Sequence, residues 1–180
     1  RAVLMQVSPE LVPFSKTYAD GAPQVVWTTL VADLETPVSA MMKLAERRAN
    51  SFLLESVEGG SVRGRFSIIG LRPDVIWRFK KDQAEINRQA RIDPHAFEPC
   101  SEDPLTSFRS LLAESEFELP ENLPPMASGL FGYMGYDAVR LAERIPDKNP
   151  DDLGVPDGLF LRPTIICIFD RLEDVVTIVT

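Results

Sequence analysis

Short apolar runs separated by turn signals recur along this chain of 180 residues, and they constrain its fold more than any other feature. The runs come in three closely spaced pairs. This pattern is typical of antiparallel hairpins and not of β-α-β units, whose parallel strands need a long connection. The predicted pairs are Phe52–Ser56 with Arg63–Gly70, Val75–Lys80 with Ala84–Asn87, and Thr164–Asp170 with Asp174–Thr180. We expect turns at Glu58-Gly59-Gly60, Lys81-Asp82 and Arg171-Leu172-Glu173, and a strand break at Pro73.

Two segments carry helix start signals. Thr36 and Asp103 can each cap a helix, and each is followed by a proline at the first helical position, where the missing N–H costs nothing. The predicted helices run from Pro37 to about Ala49–Asn50 and from Pro104 to about Glu114. Other segments are predicted as strands (Gln24–Leu34, Ala127–Met134), as a short helix (Asp137–Glu143) and as apolar alternation broken by Pro9 and Pro13 (Val3–Thr17). The sequence therefore predicts an α+β fold of antiparallel hairpins with two main helices.

Charge and cysteine content narrow the functional class. The 19 Lys+Arg and 27 Asp+Glu residues give a net charge of −8, which argues against a nucleic-acid or anionic membrane surface. The apolar stretches are too short to span a bilayer, and Arg1–Gln6 lacks the apolar segment of a signal peptide. Cys100 and Cys167 form no disulfide framework, so we expect a cytoplasmic protein with reduced thiols. His95 has no histidine neighbour with which to form a metal site.

General searches for catalytic motifs find nothing. The chain has no glycine-rich phosphate-binding motif and no G-x-S-x-G nucleophile elbow. Its many carboxylates show no spacing that forces two of them together. From its residues alone, the chain is an α+β domain without visible catalytic machinery.

Two polar groups flank the first predicted turn. Leu54-Glu55-Ser56 closes a buried strand, where the carboxylate and hydroxyl can bind an ammonium group and other small polar groups. Alternatively, Ser56 only satisfies its own turn. Arg63 and Arg65 can hold a carboxylate from the next strand. The alternative is that both arginines are ordinary surface cations.

A glycine-rich aromatic segment, Gly129–Asp137, forms the third candidate. Its three glycines alternate with aromatic residues, which favours close packing between sheets over a binding role. Asp137 at its end can cap the short helix that carries Arg140.

Taken together, these motifs resemble the N-terminal domain of anthranilate synthase component I, a chorismate-utilising enzyme. The resemblance covers nearly the whole chain in the same order. It is carried by the segments Phe52–Gly60, Gly64–Gly70, Ser128–Asp137 and Leu153–Phe160. The loop Arg88–Cys100 shows no feature of the family.

The resemblance implies a function. Component I is a lyase of tryptophan biosynthesis that converts chorismate to anthranilate and pyruvate, with ammonia supplied by a glutamine amidotransferase, component II. The reaction depends on Mg²⁺ and takes place in a C-terminal chorismate-binding domain whose signatures this chain lacks. Residues 1–180 then correspond to the N-terminal domain, which packs on the catalytic domain in an α/β/β/α sheet sandwich. We expect this chain alone to be inactive.

The resemblance also implies a feedback site for L-tryptophan. Leu54, Glu55 and Ser56 match the motif that lines the amino-acid pocket in the family, and either Arg65 or Arg63 matches its basic residue. A zwitterion needs an acceptor for its ammonium and donors for its carboxylate, which Glu55, Ser56 and an arginine can supply.

Two alternatives remain open. The first is the matching domain of aminodeoxychorismate synthase component I, which serves the folate pathway. The second is a free-standing amino-acid-binding or interaction module. Because Val175–Thr180 reads as a strand in mid-run, we expect the chain to be the first part of a longer protein, which speaks against the second alternative.

Overall fold

The computed structural model describes residues 6–57, 63–146 and 150–180, with the backbone alone at residues 57 and 63. The described residues form nine β-strands and three α-helices. The strands are β1 (Val7–Ser8), β2 (Trp27–Val31), β3 (Phe52–Val57), β4 (Arg63–Lys80), β5 (Gln83–Asn87), β6 (Glu98–Pro99), β7 (Phe131–Met134), β8 (Gly158–Asp170) and β9 (Val175–Val179). The helices are α1 (Leu11–Ala19), α2 (Pro37–Ala45) and α3 (Pro104–Glu114). No helix in the described ranges is long and apolar enough to cross a membrane.

The chain divides into two compact units, and β4 and β8 each contribute residues to both. The first unit comprises Arg1–Arg72, Phe117–Ser128 and Thr164–Thr180, and the second comprises Pro73–Glu116 and Gly129–Pro163. All strand pairs with an assigned register are antiparallel, as the hairpin pattern predicts. The predicted α+β class with antiparallel hairpins is confirmed.

In the first unit the strand order is β1-β2-β9-β8-β4, and β3 pairs with β4. Helix α2 begins as predicted, because Thr36 and Ser39 form a capping box of two 3.0 Å hydrogen bonds. It ends at Ala45, earlier than predicted, because Glu46 adopts a left-handed conformation (φ 47°). Ala40 packs from α2 into the core formed with Ile69, Leu71, Cys167 and Phe169.

The second unit is built on an aromatic core. The predicted hairpin of β4 and β5 is confirmed, with Ile76 opposite Asn87 and Lys80 opposite Gln83. Helix α3 has its predicted bounds, and the Asp103 carboxylate accepts hydrogen bonds from two backbone N–H groups at its start. The core contains Val75, Trp77, Phe79, Ala84 and Leu111, with Phe108 and Phe160 packed against it.

Two expectations about proline are wrong. Strand β4 continues through Pro73, because its pairing with β3 ends at Gly70 and its pairing with β5 begins at Ile76, so this proline lies between the two ladders. Helix α1 lies in Val3–Thr17 and just beyond it, where the sequence predicts apolar alternation broken by prolines, and it adds a helix to the two that are predicted. Pro13 lies in its first turn, where a proline replaces no intrahelical hydrogen bond.

The glycine-rich segment is also corrected in part. Its strand is shorter than predicted, since Pro125–Ala127 forms a 3₁₀ turn and β7 begins only at Phe131. The following short helix is a 3₁₀ helix, Tyr136–Leu141, and its N-cap residue is Gly135 instead of Asp137. The Asp137 carboxylate accepts a hydrogen bond from Arg140 Nε at 2.9 Å. Asp137 therefore anchors Arg140 and does not cap the helix.

Candidate functional site

The two predicted polar groups lie on neighbouring strands. Leu54 pairs with Ile68 and Glu55 with Ser67, and the register then shifts between Glu55 and Val57. A register shift bends a strand locally and turns side chains away from the regular pleat. The expected pairing of the two runs is confirmed, whereas the turn at Glu58-Gly59-Gly60 lies outside the described residues.

A pocket of about 330 Å³ opens where the register shifts. This volume lies at the lower end of the range typical of small-molecule sites. Its walls combine apolar side chains with a carboxylate, a hydroxyl and a guanidinium residue. The lining residues are Leu54, Glu55, Ser56, Arg65, Phe66, Ile68 and Met126. Four of the five predicted site residues therefore meet at one pocket, and the side chain of the fifth, Arg63, lies outside what the structure describes.

Arg65 has a carboxylate partner within the chain. Its Nε lies 3.0 Å from both oxygens of Asp170, and its Nη2 lies 2.6 Å from Oδ2. The guanidinium carbon also lies 4.9 Å from the centre of the Phe66 ring, within the range of a cation–π contact. The pKa of the Asp170 carboxyl is lowered, chiefly by the hydrogen bond from Arg65. Arg65 is thus a fixed cation at the pocket.

Glu55 is likewise paired. Arg171 Nη2 donates to Glu55 Oε1 at 2.9 Å and to the buried Ser67 hydroxyl at 3.2 Å. No described residue donates a hydrogen bond to Oε2, the second oxygen of this carboxylate. A ligand ammonium at Glu55 would therefore share the carboxylate with a guanidinium.

Sequence reasoning missed three residues of this site. Met126 lines the pocket from the connector before β7. Asp170, the last residue of β8, pairs with Arg65, and Arg171, in the turn that follows, pairs with Glu55. That turn was predicted, but only as a connection. The alternation of charges in Asp170-Arg171 was the available signal, and its partners are more than one hundred residues away in the chain.

The described residues contain no candidate metal site. No group of three or more His, Cys, Asp or Glu side chains is placed there so that it could hold a metal ion.

Comparison with known proteins gives one consistent result. The chain is 49% identical over 166 residues to anthranilate synthase component 1 of Cereibacter sphaeroides, a match that covers 92% of this chain and 33% of that protein. It is 41% identical over 151 residues to anthranilate synthase component 1 of Thermus thermophilus, covering 84% of this chain and 30% of that protein. The chain is homologous to the N-terminal region of anthranilate synthase component I. It spans about a third of the length of these relatives.

The structural comparison agrees with the sequence comparison. The crystal structure of anthranilate synthase component I from Streptococcus pneumoniae superposes with a TM-score of 0.52 at 22% identity, over 82% of this chain and 29% of that one. At this identity the likeness supports the fold alone. No family model matches the chain. The resemblance to the N-terminal region of component I, first noted from the motifs, is confirmed.

Proposed function

We propose that this chain is the N-terminal regulatory part of a cytoplasmic anthranilate synthase component I, and that its pocket is the feedback site for L-tryptophan. The full enzyme, a lyase of tryptophan biosynthesis, would convert chorismate and ammonia to anthranilate and pyruvate. The observation that carries the proposal is the pocket at β3 and β4, which combines Glu55, Ser56 and Arg65 with apolar walls. The names of the quoted relatives favour anthranilate over aminodeoxychorismate synthesis.

The chemistry of the pocket suits an apolar amino acid. The Arg65 guanidinium offers donors for a carboxylate, and Glu55 Oε2 offers an acceptor for an ammonium group. Leu54, Phe66 and Ile68 provide an apolar surface on which an indole ring can pack. The Ser56 hydroxyl can donate or accept one further hydrogen bond.

Feedback then requires two sites and a coupling free energy between them. In this proposal chorismate binds to the C-terminal chorismate-binding domain, which also carries the Mg²⁺-dependent step. Ammonia comes from component II, the glutamine amidotransferase partner. Tryptophan at the pocket shifts the enzyme toward a form that binds chorismate less well, and by linkage chorismate opposes tryptophan binding to the same extent. We expect the 180-residue chain alone to produce no anthranilate.

The test is an inhibition curve for the full-length Ser56→Phe enzyme. A phenyl ring at this position occupies ligand space and removes the hydroxyl, and a lost hydrogen bond to a charged group costs about 1.5–3 kcal/mol. We therefore expect the half-inhibitory concentration of L-tryptophan to rise by about tenfold or more. Ser110→Phe is the matched control, because Ser110 is exposed on α3 and belongs to the second unit, whereas the pocket residues belong to the first. An unchanged half-inhibitory concentration in Ser56→Phe rejects the proposed site.

A further inference from the structure

The Asp170 carboxylate forms a bidentate ion pair with one edge of the Arg65 guanidinium. The three contacts of 3.0, 3.0 and 2.6 Å join Nε and Nη2 to the two carboxylate oxygens. The Asp170 side chain is 12% exposed, whereas that of Arg65 is 49% exposed. Bidentate pairs of this kind fix the orientation of a guanidinium as well as its position.

Asp170 is itself held by the turn that follows β8. The Leu172 backbone N–H donates to Asp170 Oδ1 at 3.0 Å. The Arg171 backbone N–H donates to the Arg65 carbonyl at 3.0 Å. Arg65 is therefore held at two points, its side chain by Asp170 at the end of β8 and its backbone by Arg171 in the turn that follows.

The pair with Asp170 uses only one edge of the guanidinium. Within the described residues, the hydrogen bonds of Arg65 use Nε and Nη2, and none uses Nη1. An arginine carries five N–H donors. Two of them on Nη1 and one on Nη2 therefore remain for a ligand. The guanidinium lies 4.9 Å from the centre of the Phe66 ring, and both residues line the pocket.

We propose that Asp170 is a positioning residue, which orients Arg65 so that its free edge receives the carboxylate of the ligand. This inference rests on the function proposed above, because it concerns the same pocket. Asp170 does not touch the ligand and acts on it only through Arg65. The pocket then selects ligands that carry a carboxylate, and the turn after β8 is part of that selection.

A double-mutant cycle in the full-length enzyme tests whether Asp170 acts on ligand binding through Arg65. L-Tryptophan affinity is measured by calorimetry for the wild type, Asp170→Asn, Arg65→Gln and the double variant. We expect Asp170→Asn to weaken binding by about tenfold when Arg65 is present. In the Arg65→Gln background the same substitution should change nothing, since the group through which it acts is gone.

Two controls sharpen the cycle. Asp74→Asn removes a comparable bidentate pair, with Arg162 at 2.9 Å, in the second unit and should leave tryptophan affinity unchanged. Tryptamine keeps the indole and ammonium but lacks the carboxylate, so its affinity should not respond to Asp170→Asn. Should Asp170→Asn fail to fold, Asp170→Glu keeps the charge, displaces the carboxylate by one methylene and is judged by the same criteria.

The outcomes are separable. Unchanged affinity in Asp170→Asn, or an equal loss in both backgrounds, overturns the positioning role while the proposed tryptophan site stands. An equal loss for tryptamine and tryptophan overturns it as well, because the effect would then not pass through a carboxylate. A wild-type enzyme that binds no L-tryptophan overturns the proposed function and, with it, this inference.

Discussion

The side chain of Ser56 lies against the backbone of Gly64 on the neighbouring strand. A Cβ atom at residue 64 would come within 2.1 Å of Ser56 Oγ and within 2.4 Å of its carbonyl oxygen. Contacts this short do not occur, so the two strands can approach here only because residue 64 has no side chain. The placement of Ser56 at the pocket therefore depends on a glycine that touches no ligand in the proposed site.

Gly64→Ala should accordingly weaken tryptophan binding. The methyl group has to displace Ser56, which removes its hydroxyl from the pocket, and we expect a loss of about tenfold in affinity. Gly70→Ala is the matched control in the same strand, since its Cβ would meet the Phe52 ring at 2.1 Å instead. Both variants should lose stability in urea unfolding. If calorimetry gives equal tryptophan affinities for the two, Gly64 does not position Ser56.

Local patterns in the sequence were sufficient for the hairpins and for the starts of two helices. The cap and proline pairs at Thr36 and Asp103 predicted the starts of α2 and α3 correctly because these signals act within one helical turn. The local pattern does not predict helix α1, because Pro13 interrupts the apolar alternation there, although a proline is tolerated in the first turn of a helix.

The site was predictable only in part, for a physical reason. The pairing of β3 with β4 follows from local alternation, so Leu54, Ser56 and Arg65 could be brought together from the sequence. The ion pairs that orient the pocket join these strands to Asp170 and Arg171, which arrive through sheet topology. Periodicity within a segment does not reveal which distant turn comes to lie beside it.

Ser107 should matter for stability through the buried indole of Trp77. Trp77 is 1% exposed, and its Nε1 donates to Ser107 Oγ at 3.1 Å. Ser107→Ala leaves this N–H without its partner, and an unsatisfied buried donor costs about 1–3 kcal/mol. Ser110→Ala, at an exposed position of the same helix, should change the free energy of unfolding by less than about 0.5 kcal/mol. Urea unfolding followed by tryptophan fluorescence measures both, and equal small effects would contradict the role given to Ser107.

The two thiols should differ in reactivity. Burial raises the pKa of Cys167 to about 11, so almost none of it is thiolate at neutral pH. Burial also raises the pKa of Cys100, but this residue is only partly buried. We expect a disulfide reagent at pH 7 to label Cys100 slowly and Cys167 only after unfolding. Cys100→Ser provides the control, and rapid labelling of the native Cys100→Ser protein would show that Cys167 is accessible.

The start of α3 should make stability depend on pH. The pKa of Asp103 is lowered, first by the hydrogen bond from the Thr106 side chain and then by the backbone N–H groups of the first turn. A carboxyl whose pKa is lower in the folded state stabilises the fold above its unfolded pKa of about 3.9. That contribution is lost as the pH falls through the lower, folded value.

Asp103→Asn isolates this contribution, because asparagine also caps helices but does not titrate. The wild type should exceed Asp103→Asn in free energy of unfolding at pH 7, and the difference should shrink steadily below about pH 4. Asp82→Asn, at the exposed turn between β4 and β5, is the matched control for the loss of one surface carboxylate. Urea unfolding at a series of pH values measures the difference, and a gap between wild type and Asp103→Asn that stays constant from pH 7 to pH 3 would show that the cap carries no pH dependence.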